Sequence, residues 1–390
     1  MSQRPAAPEL DTPHPPPMLA QLAQESRIIV CCGAGGVGKT TTAASLAVAA
    51  ARLGRRVLVL TIDPSKRLAE ALGVARNPAA PVPLPADRLA ASGISPPGSL
   101  EAWMLDPKRV SDDAVRSFAK TEEAARPILE NRLYQQGTSI IAGLHEYTAM
   151  KALHGFVMGG RYDLVILDTP PSRNALDFLD APSRLSRFME GPIFKMFLPA
   201  EGGLLKRAAS KIVARVLEAV FGEAFAGELT VFFSVFSRLF SSLNTDLAEV
   251  RKLLTERGSS FVLVTTPSPA ALTEAHFFHD KILQLGLPFG GFVLNRSRAR
   301  PDGKTFPVPS GAESSVPPEL RSGLEKLKWL ARGEALEVTR DRGLLADLAL
   351  RGGKDAFALA VPGLPAGASD METLTAIAEM ILKERRSGPR

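Results

Sequence analysis

One segment near the amino end, Gly33–Thr41, constrains the fold of this chain more than any other feature. It reads Gly-Ala-Gly-Gly-Val-Gly-Lys-Thr-Thr, which matches the glycine, lysine and threonine spacing of a phosphate-binding loop. The apolar run Ile28–Cys32 precedes it, and the Ala- and Leu-rich stretch Thr41–Leu53, a good helix former, follows it. A strand, a tight glycine loop and a helix must therefore follow one another here, which indicates an α/β fold.

The loop is predicted to bind the phosphates of ATP. Glycines let the backbone wrap so that several N–H groups face an anion, and the following helix adds its positive end. Lys39 would reach the β- and γ-phosphates, and the Thr40 hydroxyl would be a ligand of Mg²⁺. The predicted nucleotide-binding residues of the loop are Gly33, Gly35, Gly36, Val37, Gly38, Lys39, Thr40 and Thr41.

Short apolar runs alternate with helical stretches along the rest of the chain, as βαβ units around a buried parallel sheet require. We predict a doubly wound, mostly parallel α/β sheet of the P-loop NTPase type with an inserted helical subdomain. Residues 76–98 are predicted to be a loop and residues 110–156 helical. The predicted strands are Arg27–Cys32, Val57–Ile62, Leu100–Leu105, Tyr162–Leu167, Phe261–Thr265, Gly290–Leu294 and Phe357–Val361.

The same pattern divides the chain into parts. Residues 26–182 and 255–390 are predicted to form the ATPase domain, and residues 183–254 a helical subdomain. Residues 1–25 are predicted to be a flexible, proline-rich tail.

Two acids stand where parallel strands are predicted to end, and ligands gather at such ends. Asp168 closes the run Tyr-Asp-Leu-Val-Ile-Leu-Asp, which has the form of a strand whose carboxylate holds Mg²⁺. Asp63 is predicted to orient the attacking water or to act as a base. A helix cap is the alternative role for Asp168 and a turn opener for Asp63. The predicted catalytic residues are thus Lys39, Asp63 and Asp168, and the predicted metal ligands are Thr40 and Asp168.

Asn295 ends a further predicted strand, Gly-Gly-Phe-Val-Leu-Asn-Arg. Its amide is placed where it could read the edge of the adenine base, with an ordinary turn residue as the alternative. The proline-stiffened loop Thr169–Asn174 is placed to respond to the γ-phosphate by ordering or disordering.

Composition excludes several function classes. Cys31 and Cys32 are the only cysteines, and as strand neighbours they point to opposite faces, which excludes a disulfide framework and an all-cysteine metal site. A net charge of +6 spread along the chain gives only a weak sign of acidic partners, nucleic acid or anionic membrane. There is thus no direct sign of nucleic acid, and any membrane contact is expected to be indirect or weak. No secretory signal and no apolar run of membrane-spanning length are present, so we expect a cytoplasmic location.

Together these residues resemble the ArsA and guided-entry family of P-loop ATPases, which includes arsenite-pump ATPases and the eukaryotic targeting factor for tail-anchored membrane proteins. The resemblance implies an Mg²⁺-dependent ATPase dimer with its nucleotides near the subunit interface and with Asp63 and Asp168 in two switch regions. It also implies a nucleotide-binding role for Pro362, and the stretch Asp168–Pro182 is most like bacterial members. The motifs that carry the resemblance are Gly33–Thr41, Thr61–Pro64, Leu105–Pro107, Asp168–Pro171, Asn295 and Val361–Pro362.

The chain departs from this family at Ala34. The family has a lysine there that reaches the partner's nucleotide, and its loss should weaken stabilisation of the developing phosphate charge. Hydrolysis is therefore expected to be slow, unless Arg173, Lys66 or a paralogous partner supplies the charge. The cysteine pair that bridges zinc in the eukaryotic targeting factors is missing, and no cysteines remain to bind arsenite, so an arsenite-pump role is not expected.

The predicted helical subdomain carries a phenylalanine-rich face at helical spacing. Such a face can form a groove for an apolar helix, and the alternative is that it packs as core. The resemblance brings the groove to equal standing with the core interpretation, since targeting members carry their client site in a helical insertion at this place, and both interpretations stay open. The face consists of Phe232, Phe233, Phe236, Leu239, Phe240, Leu243 and Leu247.

The motifs and the resemblance together predict an ATPase that couples ATP binding and hydrolysis to the handling of a hydrophobic helical client such as a membrane-protein segment. That it works as a homodimer, or as a heterodimer with a paralogue, is what the resemblance implies. Two alternatives stay open. One is a partition or membrane-positioning ATPase of the ParA and MinD kind, and the other is an ATP sensor with little turnover.

Overall fold

The computed structural model of the chain describes residues 18–61, 67–74, 80–119, 121–131, 134–135, 144–169, 222, 249–256, 258–299, 317–363 and 371–383. Within these residues eight strands belong to one sheet. They are β1 Ile28–Cys32, β2 Arg56–Thr61, β3 Val82–Pro83, β4 Ser99–Met104, β5 Leu164–Asp168, β6 Ser259–Thr265, β7 Phe289–Ser297 and β8 Phe357–Pro362.

Helices connect these strands and cover both faces of the sheet. Residues 249–255 are helical as well. The helices with assigned bounds are α1 Met18–Glu25, α2 Lys39–Arg52, α3 Arg67–Leu72, α4 Ala86–Ala91, α5 Pro107–Ala119, α6 Glu122–Leu129, α7 Leu144–Met158, α8 Pro269–Gln284, α9 Pro318–Gly352 and α10 Met371–Lys383.

The strands lie in the order β3-β4-β2-β5-β1-β6-β7-β8. All neighbouring pairs are parallel except β3 and β4, which are antiparallel at one edge. From β1 the chain continues to β2 on one side, whereas after β5 it crosses to β6 on the other side. β1 therefore lies beside the point where the winding reverses, and in such sheets the crevice at the carboxyl ends of the strands binds ligands.

Two apolar layers enclose the sheet. One face packs against α1, α2, α3 and α10, and the other against α7, α8 and α9. Along β1 the side chains alternate between the layers, so that Cys31 faces the first and Cys32 the second, and both are fully buried. This arrangement confirms the predicted doubly wound, mostly parallel α/β fold and the separation of the two thiols.

The predicted tail over residues 1–25 is wrong for its last part. Residues 18–25 form α1, where Leu19 and Ala23 are fully buried and the helix packs against α2 and α10. A helix this short is not stable in isolation, and α1 forms because its apolar side packs against the rest of the folded chain. Residues 1–17 lie outside the described residues.

The predicted loop over residues 76–98 also needs correction. It contains β3 and the short helix α4. In β3, Val82 and Pro83 pair with Ala102 and Glu101 of β4. Pro83 is tolerated because β3 is the edge strand, where a missing N–H does not interrupt the ladder.

The boundary predicted at residue 254 shifts too. Val250 and Leu254, on the helical stretch 249–255, are buried in the apolar layer beside α7. These last residues of the predicted subdomain therefore contribute to the core that encloses the sheet. Apart from residue 222 and these last residues, the predicted subdomain lies outside the described residues. None of the helices in the described ranges combines the length and apolar character needed to cross a bilayer.

Candidate functional site

The glycine loop joins β1 to α2 and is closely surrounded by the neighbouring strands. Gly33 has φ 150°, and a Cβ there would lie 2.1 Å from the carbonyl oxygen of Val264 on β6. Gly38 has φ 97°, and a Cβ there would lie 2.1 Å from Nδ2 of Asn295 on β7. Both positions therefore require glycine for the backbone angle and for space.

Lys39 begins α2 and is buried, with 6% of its surface exposed. Its Nζ donates hydrogen bonds to the carbonyl oxygens of Gly33 at 3.0 Å and Ala34 at 2.8 Å. The ammonium group thus lies against the first half of the loop. A lysine held there brings positive charge to the place where the loop and the helix terminus favour phosphate.

Asp168, at the carboxyl end of β5, is fully buried beside α2. Its Oδ2 accepts hydrogen bonds from Oγ1 of Thr40 at 2.8 Å and from Oγ1 of Thr61 at 3.1 Å. The structure thus brings together the two residues that the sequence predicts as metal ligands. A hydroxyl and a carboxylate at this distance are the hard oxygen donors that Mg²⁺ takes from proteins beside nucleotide phosphates, so the residues fit the ion.

Sequence reasoning placed Thr61 and Thr169 in functional segments but assigned no role to either hydroxyl group. Sheet register places Thr61, the last residue of β2, opposite Asp168, and no local pattern reveals that register. Thr169 is also buried, and its Oγ1 donates to the carbonyl oxygen of Cys31 at 2.8 Å. This bond ties the chain leaving β5 to the strand that enters the glycine loop.

Asn295 braces the loop from the other side. The residue is 9% exposed. Its Nδ2 donates a hydrogen bond to the carbonyl oxygen of Val37 at 2.7 Å, and its Oδ1 accepts one from the backbone N of Arg296 at 2.9 Å. Its amide thus has a structural contact that the sequence did not predict. Adenine recognition by Asn295 stays a prediction, since an amide has capacity for further hydrogen bonds.

Pro362, the last residue of β8, lies opposite Ser297 of β7 and is half-buried. It therefore stands at the same edge of the sheet as Asn295. Its predicted contact with nucleotide stays a prediction. Asp63, Lys66 and Arg173, and the phenylalanine-rich face, lie outside the described residues.

Both thiols below the loop are held in the neutral form. Burial raises the pKa of Cys31 well above its usual value, and the nearby charge of Asp168 raises it further. Burial also raises the pKa of Cys32 to about 12. Neutral, enclosed thiols are poor nucleophiles and poor metal ligands, which agrees with their interpretation as core residues.

A strand that leads through a glycine loop into a helix, with a buried lysine and a threonine paired to an acid on the adjacent strand, defines a P-loop NTPase. Comparison with known proteins gives the family. The model of the anion-transporting ATPases, the ArsA ATPases, matches residues 26–304. The chain belongs to this family, and it is an ATP hydrolase.

Individual relatives agree with this assignment. An uncharacterised protein of Streptomyces coelicolor is 29% identical over 348 residues, which cover 89% of this chain and 78% of the relative. The ATPase GET3 of Malassezia globosa is 28% identical over 204 residues, which cover 50% of this chain and 57% of that protein. A protein of Aquifex aeolicus, named provisionally as an arsenical pump-driving ATPase, is 24% identical over 278 residues, covering 69% of this chain and 63% of its own length.

Proposed function

We propose that this chain is an Mg²⁺-dependent ATPase switch that works as a dimer, with a second copy or a paralogue, and handles a hydrophobic helical client. The observation that carries the ATPase part is the 2.8 Å hydrogen bond between Thr40 and Asp168 beside the buried Lys39. Nothing in a merely structural turn requires a lysine, a hydroxyl and a carboxylate at this one edge of the sheet.

Within this proposal, Thr40 and Asp168 hold Mg²⁺ beside the phosphates. The ion, when bound, neutralises charge that develops on the phosphates. Lys39 holds a positive charge against the loop, and the glycines present backbone N–H groups to the phosphate oxygens. Thr61 keeps the carboxylate of Asp168 oriented through its hydrogen bond.

Asp168→Asn and Thr40→Ala test the ATPase part. We expect both variants to lower steady-state ATP hydrolysis by about a hundredfold or more, since charge stabilisation of this kind is usually the largest single contribution to catalysis. Binding of ATP without Mg²⁺ should change little, because the loop itself is intact. The measurement is phosphate release together with calorimetric ATP binding, each with Mg²⁺ and with EDTA.

Asp163→Asn is the matched control. Asp163 precedes β5 at its opposite end, where its carboxylate pairs with Arg56 at 2.7 Å. It should leave hydrolysis at the wild-type rate. Full hydrolysis in Asp168→Asn would contradict the proposed metal role.

The client part rests on the phenylalanine-rich face of the sequence and on the resemblance to guided-entry ATPases. We expect the double variant Phe232→Asp/Phe236→Asp to retain ATP binding but to lose capture of an apolar transmembrane peptide. Phe232→Leu/Phe236→Leu is the control, since it keeps the face apolar. Unchanged peptide capture by the aspartate variant would contradict this part. So would ATP-dependent co-sedimentation with DNA or liposomes without any peptide capture, a result that fits the partition and positioning alternative.

The dimer part has a separate test. Light scattering should detect a change from monomer to dimer when a slowly hydrolysed ATP analogue and Mg²⁺ are added, if the nucleotides lie near the subunit interface. ADP should give less dimer than the analogue. A monomer under both conditions, also in the presence of any paralogue, would contradict it.

A further inference from the structure

A β-bulge interrupts the pairing of β7 with β8 just after Asn295. Asn295 pairs with Val361, but the next pair joins Ser297 to Pro362, so Arg296 is the extra residue. Arg296 has φ 56°, and among the described residues it is the one residue other than glycine with positive φ. Such a conformation is unfavourable for a side chain larger than glycine and persists where the surroundings enforce it, often at functional sites.

The bulge is held from both sides. Before it, Asn295 bonds the glycine loop and the backbone N of Arg296. After it, the fully buried Asp341 of α9 accepts hydrogen bonds from Oγ of Ser297 at 3.2 Å and from the backbone N of Arg298 at 2.7 Å. These contacts tie the residues on the two sides of Arg296 to the glycine loop and to α9, although Arg296 itself is exposed.

Arg296 lines a cavity of about 450 Å³ together with the first half of the glycine loop, Ala34–Val37. The rest of the lining comes from the turn between β6 and α8 and from the start of α8, including Thr266, Ser268 and Glu274. Arg296 carries the positive charge among the described lining residues. Glu274, on the α8 side of the cavity, carries a negative charge. An anion would therefore be favoured on the opposite side, next to the glycine loop.

We propose that Arg296 contacts the phosphate chain of the nucleotide held by the glycine loop. This inference deepens the proposed function and rests on it. Because the sheet order is β5-β1-β6-β7, Asp168 stands on one side of the loop and Arg296 on the other. A guanidinium group forms charge-assisted, often bidentate hydrogen bonds with phosphate oxygens, so the bulge supplies a cation on the side away from the predicted metal ligands.

The test measures binding of ATP and inorganic tripolyphosphate by calorimetry in EDTA, so that no metal contributes. Arg296→Gly is the main variant, because glycine suits the positive φ and preserves the bulge. Its thermal unfolding midpoint should equal or exceed that of Arg296→Ala. Arg298→Ala is the matched control, since Arg298 pairs with Glu337 at 3.2 Å instead of lining the cavity.

We expect Arg296→Gly to weaken both ATP and tripolyphosphate binding by about tenfold or more, as loss of a charged hydrogen bond implies. Arg298→Ala should bind both probes as the wild type does. Unchanged ATP binding in Arg296→Gly would overturn this inference and leave the proposed function standing. Weaker ATP binding with unchanged tripolyphosphate binding would overturn the phosphate contact. A wild-type chain that binds none of the probes would overturn the proposed function and this inference with it.

Discussion

The close approach of Asn295 to Gly38 allows a quantitative prediction of how the glycine loop contributes to the free energy of unfolding. A methyl group added at Gly38 meets two obstacles, the backbone angle of 97° and the amide of Asn295 at 2.1 Å. Truncating Asn295 to alanine removes the second obstacle and leaves the first. The two substitutions, made singly and together, therefore separate backbone strain from steric overlap.

The magnitudes follow from the geometry. Gly38→Ala should cost about 1–2 kcal/mol for the left-handed backbone and a further 1–3 kcal/mol, approximately, for the overlap. Asn295→Ala leaves the carbonyl of Val37 and the N–H of Arg296 without their partner, at about 1–3 kcal/mol for each group that stays buried. The double variant escapes the overlap, so it should be more stable than additivity implies by about 1–3 kcal/mol.

Urea unfolding followed by circular dichroism measures these free energies, with unchanged m-values as the condition for comparing them. Gly36→Ala is the control, because Gly36 has φ 74° but no atom within 4 Å of the added Cβ. Its cost should be backbone strain alone, about 1–2 kcal/mol, and should add to that of Asn295→Ala without coupling. Strict additivity of Gly38→Ala with Asn295→Ala would refute the proposed bracing of the loop.

Three further predictions concern the surroundings of the loop. Burial raises the pKa of Cys32 to about 12, so with rising pH the thiol ionises in the unfolded chain before it ionises in the folded one. The free energy of unfolding should therefore fall as pH rises from about 8.5 towards 12. Chemical unfolding of Cys31→Ala/Cys32→Ala should show a smaller fall over the same pH range than the wild type does. Asp341→Ala should lower the unfolding free energy by about 2–4 kcal/mol, since it leaves buried donors unpaired, whereas Arg298→Ala, whose side chain is 59% exposed and pairs with the exposed Glu337, should cost at most about 1 kcal/mol in the same assay. Ala34→Lys should raise steady-state phosphate release if a missing lysine limits turnover, and an unchanged rate would argue against that cause.

Local patterns account for the parts of the fold that the sequence predicted. Apolar runs bounded by polar residues identified the main strands, and the spacing of Gly33, Lys39 and Thr40 identified the loop. Asp168 could be assigned because an acid after an apolar strand has one obvious place in a parallel sheet. These features depend on a few adjacent residues, which is why single-sequence reasoning recovers them.

Features that depend on tertiary contacts were missed. Two residues of β3 form a strand only because β4 lies beside them, and the short α1 is stabilised by its contacts with α2 and α10. The role of Thr61 depends on the register between β2 and β5. Neither periodicity nor motif spacing contains that register, so the hydrogen bond to Asp168 could not be predicted.

The contacts of the glycine loop with β6 and β7 change what its glycines imply about nucleotide binding. Gly33 is required by the carbonyl of Val264, and Gly38 by the amide of Asn295. Packing against neighbouring strands would therefore demand both glycines even in a chain that bound no nucleotide. The presence of these glycines alone is therefore weak support for catalysis. Stronger support comes from Lys39, Thr40 and Asp168, because packing does not require two charged groups and a hydroxyl at this edge of the sheet. A variant that keeps the glycines but loses these groups should consequently keep the fold and lose the activity.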